Sequence, residues 1–272
     1  MNKIDYFITK KKIPYNTKLK YLITIPCVNR EERNAINVID KTFENFEKSG
    51  LFKSDNDNYE VSIMLFESGS NDTSYLNFLE KYNNDKVKVI YSSMSLDGNS
   101  NTLKMFYTIS KLPLNLYDFI IWMDDDIFVC DNFMKNADAW IKEYSNYSLF
   151  SSLYVPYDST PVIARKHLHL SNLPAFYGTC CTIFKTSLSK YVLPHWYNYH
   201  FNKFNYNPDV RFRESLRKEF PNANKICVSY PSLVDHMNIG SSIKMKKDVK
   251  IGHNAKFFIG CENDPKYYEL FI

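Results

Sequence analysis

The chain has 272 residues, enough for one sizeable core or one domain with a small appendage, and its 44% hydrophobic content is that of an ordinary globular body. A formal net charge of +4 is too mild for a nucleic-acid binder, whose basic residues crowd one face. No run approaches the roughly 20 apolar residues of a membrane helix and no start resembles a signal peptide, so a cytoplasmic location is the default expectation.

Residues 1–20 hold six lysines against one aspartate and read as a basic arm, solvated or in weak contact with an anionic membrane surface. From residue 21 strand-like runs alternate with helix-period segments, the pattern of an α/β sheet with crossover helices. "YLITIPCV" is the first strand. Asn29 is placed to cap a helix in which Ile36, Ile39, Phe43 and Phe46 share a face, with Gly50 as its stop. "YEVSIMLFES" and "KVKVIYS" supply two more strands, separated by a short helix over 75–82. A helix over 102–111 leads to "YDFIIWM", apolar enough to be buried on both faces as a central strand. Asp131 then reads as the cap of a helix whose Phe133, Ala137, Trp140, Ile141 and Tyr144 form one stripe. In the second half "LFSSLYVP", "GTCCTIF" and "KICVSYP" read as strands and 209–220 as a helix. No repeat or linker divides 21–272, so it reads as one domain. The six cysteines, Cys27, Cys130, Cys180, Cys181, Cys227 and Cys261, lack metal-site spacing and read as reduced and buried.

The central strand runs into Asp124, Asp125 and Asp126. Three carboxylates at the end of a buried strand repel one another, so a cation should offset them, and a divalent ion is the simplest candidate. In a strand-to-turn geometry Asp124 and Asp126 can point the same way and bind a hard cation while Asp125 faces elsewhere. An acidic turn or helix cap is the plain alternative. Position favours the ion, since open α/β sheets bind ligands beyond the carboxyl ends of their strands.

"FIIWMDDDIFV" resembles the D-x-D segment of glycosyltransferases with the GT-A fold, and other segments resemble that fold in the same order. "YLITIPCVNR" is similar to the strand that opens the nucleotide pocket, which puts Pro26, Val28 and Arg30 there. "FESGSNDTS" resembles the "DDGSTDDT" stretch of the large inverting family that includes many bacterial and viral sugar transferases, with Glu67 and Ser68 replacing its usual aspartates. "DGNSNTLKMF" resembles the turn and helix before the D-x-D strand and puts Asp97, Asn101 and Lys104 near the nucleotide or its phosphates. The resemblance implies Asp124 and Asp125 at the donor, Asp124 toward ribose or metal, and Asp126 as direct metal ligand. It implies a single GT-A domain with a mixed, mostly parallel sheet, in which 21–130 binds a nucleotide sugar and 131–272 binds the acceptor.

Inverting transfer needs a base at the acceptor hydroxyl. Asp209 follows Pro208 at a helix start, which favours the ionised carboxylate, and it resembles the acidic motif heading the family's acceptor-side helix. It is the candidate base, with Glu214 second. "YPSLVDHMNIGSS" resembles a C-terminal segment of branching N-acetylglucosaminyltransferases, in which His236 stands as a third metal ligand. Imidazole with carboxylates and phosphate suits Mn²⁺, with Mg²⁺ the second choice. Lys244, Lys246 and Lys247 follow, as a solvated tail or a cover for the diphosphate, and His195, Trp196, Tyr197 and Tyr199 form either an acceptor platform or core. The expectation is a hexosyl- or N-acetylhexosaminyltransferase using a nucleoside-diphosphate sugar, UDP-sugar favoured, and a glycan or glycoprotein acceptor. A retaining transferase, a sugar nucleotidylyltransferase and an inactive carbohydrate-binding homologue are the alternatives. "TIPCVNREER" has no glycine for the phosphate loop with which nucleotidylyltransferases usually begin.

Overall fold

The computed structural model describes residues 3–33, 37–53, 56–154, 163–165, 168–173, 180–196, 207–237 and 258. The chain opens with α1 (Lys3–Phe7) and β1 (Leu19–Cys27), followed by α2 (Ile39–Lys48), β2 (Tyr59–Glu67), α3 (Thr73–Glu80) and β3 (Val87–Ile90). Next come α4 (Gly98–Lys111), β4 (Phe119–Met123), β5 (Ile127–Val129), α5 (Phe133–Tyr144) and β6 (Phe150–Ser152). The remainder is β7 (Ile163–Arg165), β8 (Leu168–Asn172), β9 (Cys181–Lys185), α6 (Ser189–Trp196), α7 (Pro208–Glu219), β10 (Lys225–Ser229) and β11 (Val234–His236).

Nine strands form one sheet in the order β3-β2-β1-β4-β9-β6-β10-β8-β7, and β5 pairs with β11 as a separate ribbon. The first four strands are mutually parallel, as βαβ crossovers require. Beyond β4 the sheet turns mixed: β9 runs antiparallel to β4 and β6, β10 is parallel to β6, and β8 and β7 return antiparallel. This is the α/β sheet with flanking helices expected from the sequence.

Alternation along the strands builds two cores. Tyr21, Ile23 and Ile25 of β1 and Phe119 and Ile121 of β4 face a cluster with Phe43 and Phe46 of α2, Tyr75 and Leu79 of α3, and Phe133, Trp140 and Ile141 of α5. Leu22, Ile120 and Trp122 face the other side, against Met105, Phe106 and Ile109 of α4 and Phe212 and Leu216 of α7. Each such side chain contributes roughly 1.5–3 kcal/mol. The full burial of β4 explains why it reads as one continuous apolar run.

Several local expectations are corrected. The helix assigned to Asn29 begins only at Ile39, with Val38 as N-cap. Asn29 accepts instead from Glu31 N (3.1 Å) at a 3-10 turn, while its amide donates to Ser70 and Asp72. Gly50, at φ +75°, ends that helix as expected. The N-cap of α5 is Asn132 in left-handed conformation (φ 52°), not Asp131. The intervening β5 forces a sharp entry, and asparagine tolerates that backbone region. Residues 3–20 pack against the domain instead of forming a solvated arm. Phe7 is buried against Tyr191 and Phe220, Lys10 N donates to Asn146 O (3.0 Å), and the buried Lys142 ammonium donates to Tyr15 O (3.0 Å). The five described cysteines are free and buried, as read; Cys261 lies outside the described residues.

Candidate active site

The strand order reverses at β1, which has β2 on one side and β4 on the other, so a crevice opens where their carboxyl ends diverge. The registers show the gap. β1 pairs with β2 as far as Cys27↔Glu67 but with β4 only as far as Thr24↔Trp122. Pro26, which cannot donate to a ladder, falls in the stretch where β1 has lost its β4 partner. Asp124, Asp125 and Asp126 leave β4 into this crevice.

A buried arginine holds two of the three aspartates. Arg30 Nη2 lies 2.6 Å from Asp125 Oδ1 and 2.9 Å from Asp126 Oδ2, and all three side chains are buried. Val28 N donates to the second oxygen of Asp125 (2.9 Å), and Thr42 Oγ1 donates to its carbonyl (2.9 Å). Arg30, expected at the nucleotide, is therefore the internal counter-ion of the cluster. Burial works against its charge, but the carboxylates outweigh burial and raise its pKa. Asp125 thus shares one nitrogen with Asp126 instead of facing elsewhere, and burial raises its pKa against the pull of Arg30.

The β5–β11 ribbon brings in the histidine. His236 is opposite Ile127 in register, which places it beside Asp126, and Met237 N donates to Asp126 O (3.0 Å). His236 Nε2 stands 3.3 Å from Asp126 Oδ2. Burial pushes the Asp126 pKa up, but the His236 and Arg30 contacts overcome it and the net shift is downward. His236 shifts upward, burial again being outweighed, here by the Asp126 and Asp124 carboxylates.

Asp124 is the exception. Its carboxylate has no hydrogen bond among the described residues, and burial followed by the charge of Asp126 pushes its pKa up to about 7, only partly relieved by His236. The cluster is short of one positive charge at this position. Among the described residues no three His, Cys, Asp or Glu side chains converge to hold an ion unaided. The residues fit a different kind of cation site, in which one or two carboxylates bind a hard ion whose other ligands are phosphate oxygens and water.

The remaining candidates shape the walls. Glu67 is buried and accepts from Ser70 N (2.6 Å), bracing the turn after β2. In that turn Gly69 has φ +86°, and a Cβ there would fall 2.0 Å from Met94 O, so no other residue fits. Asn101 ties the two strand ends together, donating to Phe66 O (2.7 Å) and Cys27 O (3.4 Å). Lys104 donates to Glu67 O (3.1 Å) and Ile90 O (2.9 Å), which commits its ammonium to framework carbonyls. Asp97 caps α4 through Ser100 N (2.7 Å) and is exposed. Sequence reasoning passed over Glu32, which accepts from Ser70 Oγ (2.8 Å) and Asn71 N (2.9 Å) and closes the loop after β1 onto the loop after β2. Only the pairing of those loops could have revealed it.

Asp209 comes from the other half of the chain. It lies in the first turn of α7, and its charge contributes to the raised pKa of Asp124. Phe212, three residues on, explains the placement: its ring contacts Trp122 edge-on (5.7 Å) and stacks on Phe106 (5.6 Å), and Trp122 is two residues before Asp124. Glu214 is occupied by Arg213 (2.7 Å) and Arg217 (2.9 Å), which hold its carboxyl below the usual range despite burial, so it is a poor base. Trp196 is core and His195 pairs with Glu219 (3.0 Å). Lys244, Lys246, Lys247, Tyr197 and Tyr199 lie outside the described residues.

Fold and site together define an open α/β sheet with an arginine-clamped acidic crevice at its strand-order reversal. No protein-family description and no curated protein matches the sequence. Among solved structures, S. aureus TarS 1-349 overlaps with a TM-score of 0.47 at 18% identity, over 77% of this chain and 58% of that one. The same protein in complex with UDP-GlcNAc gives 0.48 at 17%, over 77% and 56%. The 4-diphosphocytidyl-2C-methyl-D-erythritol synthase of Anaerococcus prevotii DSM 20548 gives 0.45 at 13%, over 88% and 94%. The chain thus spans less than two thirds of the TarS fragment.

Proposed function

We propose that this chain is a GT-A-type glycosyltransferase that moves a sugar from a nucleoside-diphosphate donor, UDP-sugar favoured, to a glycan or glycoprotein hydroxyl with inversion. The observation that carries the reading is the aspartate cluster at the strand-order reversal, where Arg30 and His236 pair with Asp125 and Asp126 while Asp124 makes no ion pair among the described residues. The D-x-D resemblance of the same segment supports it. Arg30 holds Asp125 and Asp126 in place. Asp124, with Asp126 and His236 beside it, would hold Mn²⁺ or Mg²⁺. The ion, when bound, neutralises charge on the departing diphosphate.

In the transfer step the acceptor oxygen bonds to the anomeric carbon as the bond to the diphosphate breaks. The diphosphate leaves with the electron pair, and the acceptor proton passes to the Asp209 carboxylate. Phe212 keeps that carboxylate at the crevice by packing on Trp122.

The test is incubation with a panel of UDP-sugars with and without Mn²⁺, following release of UDP. Release of pyrophosphate instead would identify nucleotidylyl transfer, and no release with any donor would leave a binding protein. Asp209→Asn should lower turnover about 10²–10⁴-fold with donor affinity retained; near-normal turnover would remove it as the base. A product with retained anomeric configuration by NMR would overturn inversion.

A further inference from the structure

Among the described residues, the end of the sheet opposite the crevice carries a second concentration of charge, and there it is basic. Strands β1 and β4 start at this end, beside the turn that leaves α4 and the docked N-terminal segment. Large apolar side chains project there: Tyr6 is 53% exposed, Leu114 48% and Leu116 41%. Tyr6 and Leu114 line one cavity of about 350 Å³ with Ile13 and Tyr117, and Leu116 precedes Tyr117 in the chain. An exposed apolar cluster of this kind marks an interaction surface.

Lysines ring it. Lys10 and Lys11 are fixed against the cavity wall by backbone hydrogen bonds with Asn146 (3.0 Å each). Lys20 follows the wall residue Leu19, Lys111 precedes Leu114 by three positions, and all four lysines are exposed. Lys185 sits 5.6 Å over the Tyr6 ring. Lys12 is matched by Glu143 and Lys18 by Glu60, and this end also carries Asp5 and Asp118, with Asp57 and Asp85 farther along it, ahead of β2 and β3. The ammonium groups of Lys10, Lys11, Lys20 and Lys111 make no ion pair among the described residues, although Lys20 N donates to Asp118 (2.8 Å).

Lysine is depleted at protein–protein interfaces, so this ring disfavours a second copy or another protein as occupant. A bilayer with anionic headgroups fits each component: tyrosines suit the headgroup level, leucines the acyl boundary, and lysines the surface potential. The acidic crevice, at the far end of the same strands, would be repelled from such a surface. We propose that the amino-end face of the sheet docks on an anionic membrane surface and leaves the crevice facing away from the bilayer.

The experiment is co-sedimentation of the full chain with phosphatidylcholine vesicles, with and without phosphatidylserine, at low and high salt. The expected result is at least about tenfold more binding to phosphatidylserine vesicles, lost at ~1 M salt where screening reaches about 3 Å. Two variants separate the contributions: Leu114→Ser with Leu116→Ser, and Lys10→Ala with Lys11→Ala and Lys20→Ala. Each changes only exposed side chains, should leave circular dichroism and thermal unfolding unchanged, and should cut binding several-fold. Equal binding to neutral vesicles, no binding, or variants that bind like the parent chain would overturn the proposal. So would a dimer in sedimentation velocity that the leucine variant dissociates, since the patch would then be a contact between copies.

Discussion

The two ends of one sheet hold charge in opposite ways. At the carboxyl end Arg30, Asp125 and Asp126 are buried and pair at distances of 2.6–2.9 Å, so each charge answers to a particular partner. At the amino end the lysines are exposed, and the pair Lys18–Glu60 stands half in water at 3.0 Å. Burial is what makes charge specific. Where water is excluded, one missing partner is felt as an energy; where water is present, one lysine does the work of another.

Removing a buried partner should give the largest effect. Arg30→Met leaves buried Asp125 without its cation and Asp126 with His236 alone, and should cost about 3–5 kcal/mol in denaturant unfolding. A loss below about 1 kcal/mol would mean that water already reaches the cluster and that the contrast between the two ends is false.

Asp124→Asn should act in the opposite direction. Its folded pKa of about 7 lies above the ordinary carboxylate value, so the folded state binds this proton more tightly than the unfolded chain. Its contribution is favourable below about pH 4, declines as pH rises, and levels off above about pH 7. Asparagine carries no such charge. Without divalent ions, the variant should be more stable above pH 7 by about 1–3 kcal/mol, less than the ~4 kcal/mol of full burial because this side chain is partly exposed. Mn²⁺ should raise the melting temperature of the parent chain and leave that of the variant unmoved. An equal rise in both would place the ion elsewhere.

The smallest effect belongs to the amino end: Lys18→Ala should change stability by less than about 0.5 kcal/mol in the same unfolding assay. A larger loss would show that exposed pairs at this end are also specific.

The parallel half of the sheet was legible because each of its strands is a run of apolar residues long enough to show its period. The β5–β11 ribbon was not, since three residues of strand carry no period of their own, and only pairing defines them. The same holds for the three-residue β7. The crevice was half legible. Three aspartates after a buried strand announced a site that needs a cation, and Asp209 after Pro208 announced a carboxylate at a helix start. That Arg30 already supplies one cation to that site was hidden, because 95 residues separate it from Asp125.

Local patterning alone was thus enough for α3, α4, α5 and α7, the longer strands and the place along the chain where negative charge collects, since each depends on neighbours a few residues apart, whereas α1 and α6 went unread. Which charges neutralise one another, which carboxylate is left over, and that lysines read as a loose arm form one rim of an apolar cavity were settled by folding. Coulomb energy and desolvation depend on distance through space, and the sheet sets that distance by stacking strands from far apart in the chain.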